Sequence, residues 1–225
     1  MRPNYCLPII KARKTEVLET IRANDDYRFF EVWLDYVGEC DKSFVTQLIK
    51  LLDGRLVVLF RRKNLDDIKM SLEQRFSLLE QLSGTKALVD LDVTTQTKEL
   101  DYARDHKLDL NTIVSYHNYQ QTPDSVQLKT IIGIMNGYRP SIYKLSTLCE
   151  NREDALRLLK QLLEFKTQGR RVIISGMGDL GLVTRVFGAL WGNEMTFAPK
   201  LSSEQSAPGQ LTKSQFETIF KELRS

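Results

Sequence analysis

A single (β/α)₈ barrel, an α/β fold, is the class this sequence predicts, and three observations point to it. Short apolar runs of strand length alternate with segments of helical spacing, eight of each. These pairs fill a chain of 225 residues, close to the ~250 residues typical of such a barrel. No Gly-x-Gly-x-x-Gly follows the first apolar run, as the rival doubly wound sheet would require for a dinucleotide. The units share rhythm rather than sequence, and no linker or low-complexity stretch interrupts residues 1–225. One domain is expected.

The elements follow in order. YCLPII (5–10) is the first strand and KTEVLETIRAN (14–24) the first helix. YRFFEVWLD (27–35), with its aromatic and β-branched content, precedes KSFVTQLIKLL (42–52). RLVVLFR (55–61) and MSLEQRFSLLEQL (70–82) form the third pair, ALVDLDV (87–93) and TKELDYARDHK (97–107) the fourth. LNTIVSYH (110–117) is followed by SVQLKTIIGIMN (125–136), and SIYKLST (141–147) by REDALRLLKQLLEF (152–165). RVIISGM (171–177) leads to LGLVTRVFGALWG (180–192), and EMTFAP (194–199) to TKSQFETIFKELR (212–224). Thr212 stands where a threonine side chain caps the last helix.

Composition narrows the function classes. The net charge of +3 arises from 32 basic and 29 acidic residues spread along the chain. No basic run carries interleaved aromatics, so nucleic acid is not expected as a partner. Cys6, Cys40 and Cys149 are far apart, and only His106 and His117 accompany them. No zinc spacing results, and free thiols in a reducing compartment are expected. The start, MRPNYCLPIIKARK, has its short apolar stretch broken by prolines and followed by charges, so no signal peptide is expected, and no run reaches the length of a membrane span. A cytoplasmic protein is expected.

Lys144 poses the first functional question. It lies within an apolar strand, although an ammonium is expensive to desolvate. An edge strand with alternate side chains in water is one answer. The other is that burial is wanted, because a desolvated lysine sheds its proton and becomes a nucleophile. The barrel favours the second: inward polar groups near the C-terminal ends of barrel strands usually belong to the active site. Glu31 and Asp35, Arg61, His117 and Lys144 fall at such ends of the second, third, fifth and sixth strands. Lysine and histidine on neighbouring strands are the pair that imine chemistry needs.

With VSYHNYQQTP (114–123) and YKLST around Lys144, the sequence resembles the type I 3-dehydroquinate dehydratases. SGMGDLGLVTRVFGALWG (175–192), with Arg185, and QSAPGQLT (205–212) are similar to that family's seventh-strand motif and Ser-Ala-Pro-Gly-Gln loop. The resemblance implies dehydration of 3-dehydroquinate to 3-dehydroshikimate, the third step of the shikimate pathway, with no cofactor or metal. It implies that Lys144 forms a Schiff base with the substrate ketone. His117 would assist imine formation, remove the C2 proton and protonate the departing C1 hydroxyl. Arg185 would grip the substrate carboxylate. Ser206 and Gln210 would reach the substrate from a lid, and Glu31 and Arg61 would complete the binding site. The family is often dimeric.

The first half departs from the family pattern. Trp33 stands where Glu-x-Arg-x-Asp has its arginine, and it offers one N–H in place of a charged fork. After Arg61 the family's Gly-Gly pair is missing, and Leu65 falls where the residue orienting the histidine belongs. Asp66 reaches that place only after a one-residue shift. Asp90 and Asp92 on the fourth strand offer substitutes, or are barrel-mouth carboxylates without a role. Two rival readings stay open: a class I Schiff-base aldolase, and a ligand-binding protein that keeps the pocket without turnover.

Overall fold

The computed structural model describes residues 3–223. Its eight parallel strands are β1 (Tyr5–Ile9), β2 (Phe29–Trp33), β3 (Leu56–Leu59), β4 (Leu88–Asp92), β5 (Asn111–Asn118), β6 (Ile142–Leu148), β7 (Val172–Met177) and β8 (Thr196–Phe197). The helices between and after them are α1 (Lys14–Arg22), α2 (Lys42–Leu52), α3 (Leu72–Leu82), α4 (Thr97–Asp105), α5 (Ser125–Gly137), α6 (Arg152–Thr167), α7 (Leu182–Trp191) and α8 (Lys213–Glu222). Parallel ladders join the strands in the order β7-β6-β5-β4-β3-β2-β1-β8. The expected barrel is therefore present, each strand lying within its predicted run or one residue beyond it.

Several helix starts carry the caps that orphaned N–H groups require. Asp41 accepts from Phe44 N at 2.8 Å, and Asp124 from Val126 N and Gln127 N. Thr212 caps α8 as its position suggested, in a reciprocal box with Gln215. Arg224, the last residue of the predicted eighth helix, lies outside the described residues.

The predicted eighth strand is six residues long, whereas β8 has two. The reason lies in the seam between β7 and β8, where a side chain replaces the ladder. Asn193 Oδ1 accepts from Ile174 N at 2.8 Å, and its Nδ2 donates to Ile174 O at 2.9 Å. One backbone bond, Glu194 N to Val172 O, adds to it. A side-chain amide carries one donor and one acceptor of the kind that backbone pairing uses, so Asn193 satisfies β7 without a longer strand.

Strand periodicity then sorts the interior. Cys6, Phe29, Val57, Leu88, Ile113, Ile142, Ile173 and Phe197, one from each strand, form an apolar floor with Met195. The opposite strand faces pack against the helices in a larger core that includes Leu7, Phe30, Val58, Val89, Leu145 and Ile174. Two residues beyond each floor position, the same face points inward again. On five of the eight strands the sequence turns polar there, at Glu31, Asp90, Ser115, Lys144 and Ser175, and one further step along come Asp92, His117 and Ser146. All are buried. The floor thus supports a polar layer at the C-terminal ends of the strands.

Candidate active site

Lys144 sits at the centre of that layer, 5% exposed. Its ammonium lies 2.6 Å from Asp90 Oδ2 and 3.5 Å from Glu31 Oε1, with the Phe197 ring 4.4 Å below it. β6 is flanked by β5 and β7, which rules out the edge-strand explanation. A buried ammonium is tolerable because two carboxylates and an aromatic face surround it.

His117 is held from the fourth strand. Its Nδ1 is 2.8 Å from Asp92 Oδ2, and the same oxygen accepts from the His117 backbone N–H at 3.0 Å. Arg61 Nη1 is 3.4 Å from that Nδ1. An ionised carboxylate only accepts and a guanidinium only donates, so one hydrogen on Nδ1 serves one of them. The shorter contact, to Asp92, decides the tautomer: Nδ1 bears the hydrogen and Nε2 keeps its lone pair. Burial pushes the imidazole pKa down to about 4, and the Arg61 charge pushes the same way against the Asp92 hydrogen bond. His117 is a neutral base at neutral pH.

The two fourth-strand carboxylates are anionic for electrostatic reasons. Burial alone would raise Asp90, but Lys144 and Arg61 outweigh it and hold it well below the usual carboxylate range. Asp92 is likewise held low, its burial offset by the hydrogen bond from His117 and by Arg61. Asp90 Oδ1 accepts from Ser115 Oγ at 2.5 Å and from Arg61 at 3.3 Å. Asp92 Oδ1 accepts from Thr94 N, Thr94 Oγ and Thr95 N.

Trp33 is buried in the cavity wall, and its indole N–H donates to Glu31 Oε2 at 2.8 Å. Asp35, one of the strand-end carboxylates, turns away instead. The chain enters a short 3₁₀ turn at Leu34–Tyr36, and Asp35 pairs with Arg62 and accepts from Met70 N. It braces two loops outside the cavity. Leu65 is half-buried and Asp66 exposed, and the third strand supplies no carboxylate to His117. Asn64 and Leu65 nevertheless adopt φ of 54° and 61°, the left-handed region that glycine favours.

Arg185 is also interior, 4% exposed, not on the outer surface of its helix. A close approach brings it there: a Cβ on Gly181 would lie 2.4 Å from Gly176 C, so only a glycine lets the turn before α7 settle on β7. Burial lowers the Arg185 pKa to about 10. Its Nη2 donates to Pro208 O at 3.1 Å, and no carboxylate pairs with it among the described residues. The Ser-Ala-Pro-Gly-Gln loop closes over this edge, and Gly209 lies against Gly178 O, where a Cβ would be 2.8 Å away. Gln210 Oε1 accepts from Ser206 N, and its Nε2 donates to Ser206 Oγ, each at 2.8 Å. Lys63 Nζ donates to Gln205 O at 2.9 Å, tying the loop down from the opposite rim.

Glu31, Trp33, Arg61, His117, Tyr119, Lys144, Ser146, Ser175, Arg185, Phe197, Ser206 and Gln210 line one cavity. With the loop closed it measures about 30 Å³, the share of roughly one water molecule. Three buried polar atoms of its lining have no hydrogen-bond partner: Glu31 Oε1, Arg61 Nε and Arg185 Nε. Two unpartnered guanidinium donors and a neutral base beside a lysine suit an anionic, hydroxylated carbonyl compound. No group of three or more His, Cys, Asp or Glu among the described residues is arranged to hold a metal.

All seven site residues read from the sequence meet here: Lys144, His117, Glu31, Arg61, Arg185, Ser206 and Gln210. Asp92, Asp90 and Ser115 were less legible. Their signal is the alternation itself, since Leu88-x-Asp90-x-Asp92 and Ile113-x-Ser115-x-His117 repeat an apolar floor residue followed by inward polar ones.

Known proteins resemble this chain over nearly its whole length. A curated 3-dehydroquinate dehydratase of Dehalococcoides mccartyi is 28% identical over 98% of this chain and 96% of its own length. One of Coxiella burnetii is 28% identical over 93% of this chain and 88% of its own. The structure superposes on the 3-dehydroquinate dehydratase of Geobacillus kaustophilus with a TM-score of 0.81 at 22% identity, covering all of this chain and 92% of the other. The type I enzyme of Clostridium difficile gives the same score and identity over 99% and 92%. The family model described as type I 3-dehydroquinase matches residues 5–225, and the chain belongs to that family.

Proposed function

We propose that this protein is a 3-dehydroquinate dehydratase that forms 3-dehydroshikimate and water through a Schiff base on Lys144, the third step of the shikimate pathway. The observation that carries the reading is a buried lysine sharing a cavity with a histidine whose Nε2 lone pair is free. The Lys144 amine attacks the substrate ketone and water leaves, giving a protonated imine. That cation withdraws electrons from the adjacent C–H. His117 Nε2 takes the C2 proton, and the electron pair moves through the enamine to expel the C1 hydroxyl. The imidazolium returns the proton to that hydroxyl, which departs as water, and hydrolysis frees the amine.

The surroundings support each step. Asp92 keeps Nδ1 protonated, so Nε2 alone exchanges protons. Asp90 stays anionic beside the nitrogen, which is positive both as ammonium and as imine. Arg185 and Arg61 offer unpartnered N–H groups to the carboxylate and hydroxyls of the substrate. Opening of the Ser206–Gln210 clasp lets substrate in, and both residues then have polar groups to give it.

Borohydride added with substrate tests the reading. A reduced adduct on Lys144, found by peptide mass spectrometry together with loss of enone formation, is expected. An adduct on another lysine, or an active protein that borohydride leaves untouched, would overturn it.

A further inference from the structure

Two carboxylates flank the Lys144 ammonium, and they are unequally served. Asp90 takes hydrogen bonds from Lys144, Arg61 and Ser115. Glu31 has the Trp33 indole on Oε2, while Oε1 is buried without a hydrogen-bond partner, 3.5 Å from Lys144 Nζ. A carboxylate oxygen buried without a donor is costly, and a proton placed on it removes that cost. We propose that Glu31 is the proton carrier of Lys144: Oε1 takes the ammonium proton so that the amine can attack, and returns it when water leaves. This rests on the Schiff-base reading above and names the residue that starts it.

The groups facing Glu31 fit the exchange. Lys144 on β6 and Arg61 after β3 favour its anion, as does the indole N–H from its own strand. Asp90 on β4 and burial favour the neutral acid, Cys6 on β1 adds a thiol below, and burial is the largest influence, so the Glu31 pKa is raised. Asp90, equally buried, is held low by its cations. Two carboxylates around one cation are thereby driven apart, a pattern that assigns different proton duties to each. A neutral indole beside Glu31, where a guanidinium would fix the anion, leaves it free to gain a proton.

The step balances without a co-reactant. The Nζ–H bond breaks and Oε1–H forms. The nitrogen lone pair bonds the ketone carbon, whose π pair moves to oxygen. A proton shifts from that nitrogen to that oxygen, giving the carbinolamine. Glu31 then protonates the hydroxyl, and the C–O bond breaks as C=N forms. Ammonium and ketone become protonated imine and water, and Glu31 is again a carboxylate.

Glu31→Gln preserves shape and removes the acceptor. Single-turnover imine formation at saturating 3-dehydroquinate, quenched with borohydride and read as Lys144 adduct, is followed against pH. The variant is expected to be slower by ~10²-fold at neutral pH, within the usual span of general acid–base help. Its rate should recover about tenfold per pH unit as hydroxide takes over the deprotonation, whereas the parent stays nearly flat. Trp33→Arg, which pins Glu31 as an anion, is expected to show the same slope by an independent route. A Glu31→Gln protein with the parent's rate and profile would overturn the proposal, because a residue that only binds hydroxyls changes the substrate concentration needed and not the pH slope. Absence of any Lys144 adduct in the parent would instead overturn the Schiff-base reading itself.

Discussion

Replacing Asp92 by asparagine changes one atom and reaches the centre of the chemistry. In the protein, Oδ2 serves His117 Nδ1 and the His117 backbone N–H, and Oδ1 serves Thr94 and Thr95. Both oxygens therefore face N–H donors. An amide has a single oxygen, so its NH₂ must face one of the two sets. If it faces His117, the ring is driven to the other tautomer, with the hydrogen on Nε2 and no lone pair for the substrate proton. If it faces Thr94 and Thr95, the strand-end turn loses its acceptor. General acid–base catalysis is typically worth ~10²–10⁴-fold, or about 3–5 kcal/mol at 1.36 kcal/mol per decade. A fall in kcat of that order is expected for Asp92→Asn, with KM changed much less, because Asp92 does not line the cavity. The Lys144 imine should still form and accumulate. Steady-state enone absorbance gives the first two quantities, and borohydride trapping with mass spectrometry gives the third. A folded Asp92→Asn protein with kcat within a few fold of the parent would refute the assignment of the histidine's partner.

Three other outcomes are expected. Trp33→Arg puts a charged fork in the cavity wall beside Glu31, and steady-state kinetics should show a lower KM; an unchanged KM in a stably folded variant would mean that residue 33 does not meet substrate. Leu65→Gly relieves a left-handed residue that costs an L-amino acid roughly 1–2 kcal/mol. After the added freedom of the unfolded glycine is subtracted, a gain of up to about 1 kcal/mol should raise Tm by roughly 2–4 °C, and a lower Tm would refute the strain. His117 titrates at about 4 when folded and 6.5 when unfolded, so the unfolded chain binds the proton first as pH falls. Stability present above pH 6.5 should drop by about 3 kcal/mol by pH 4, and urea denaturation of His117→Gln should show a flatter slope; the parent's slope in that variant would place the acid sensitivity elsewhere.

The order of the elements was legible from the sequence because it is a local property. Apolar runs at strand length and helical spacing are set by the chain's own periodicity, and the cap at Thr212 needs only its next three residues. Lys144, His117, Arg185 and the Ser-Ala-Pro-Gly-Gln loop were legible because residue types in a given order carry a family's chemistry. What the sequence left open depends on pairings between strands. Whether Asp66 or Asp92 serves His117 turns on the backbone after β3, which directs Asp66 outward, and on the inward face shared by Asp92 and His117. Asp35 and Glu31 sit four residues apart on one predicted strand, yet a 3₁₀ turn at Leu34–Tyr36 sends one to a loop and leaves the other on Lys144. The eighth strand reads as six residues, but Asn193 ends the need for it by pairing with Ile174 across the seam. How deep Arg185 sits depends on two glycines, 176 and 181, that let its turn sink onto β7. These outcomes rest on distances and directions between side chains and backbone, which exist only once the barrel has closed.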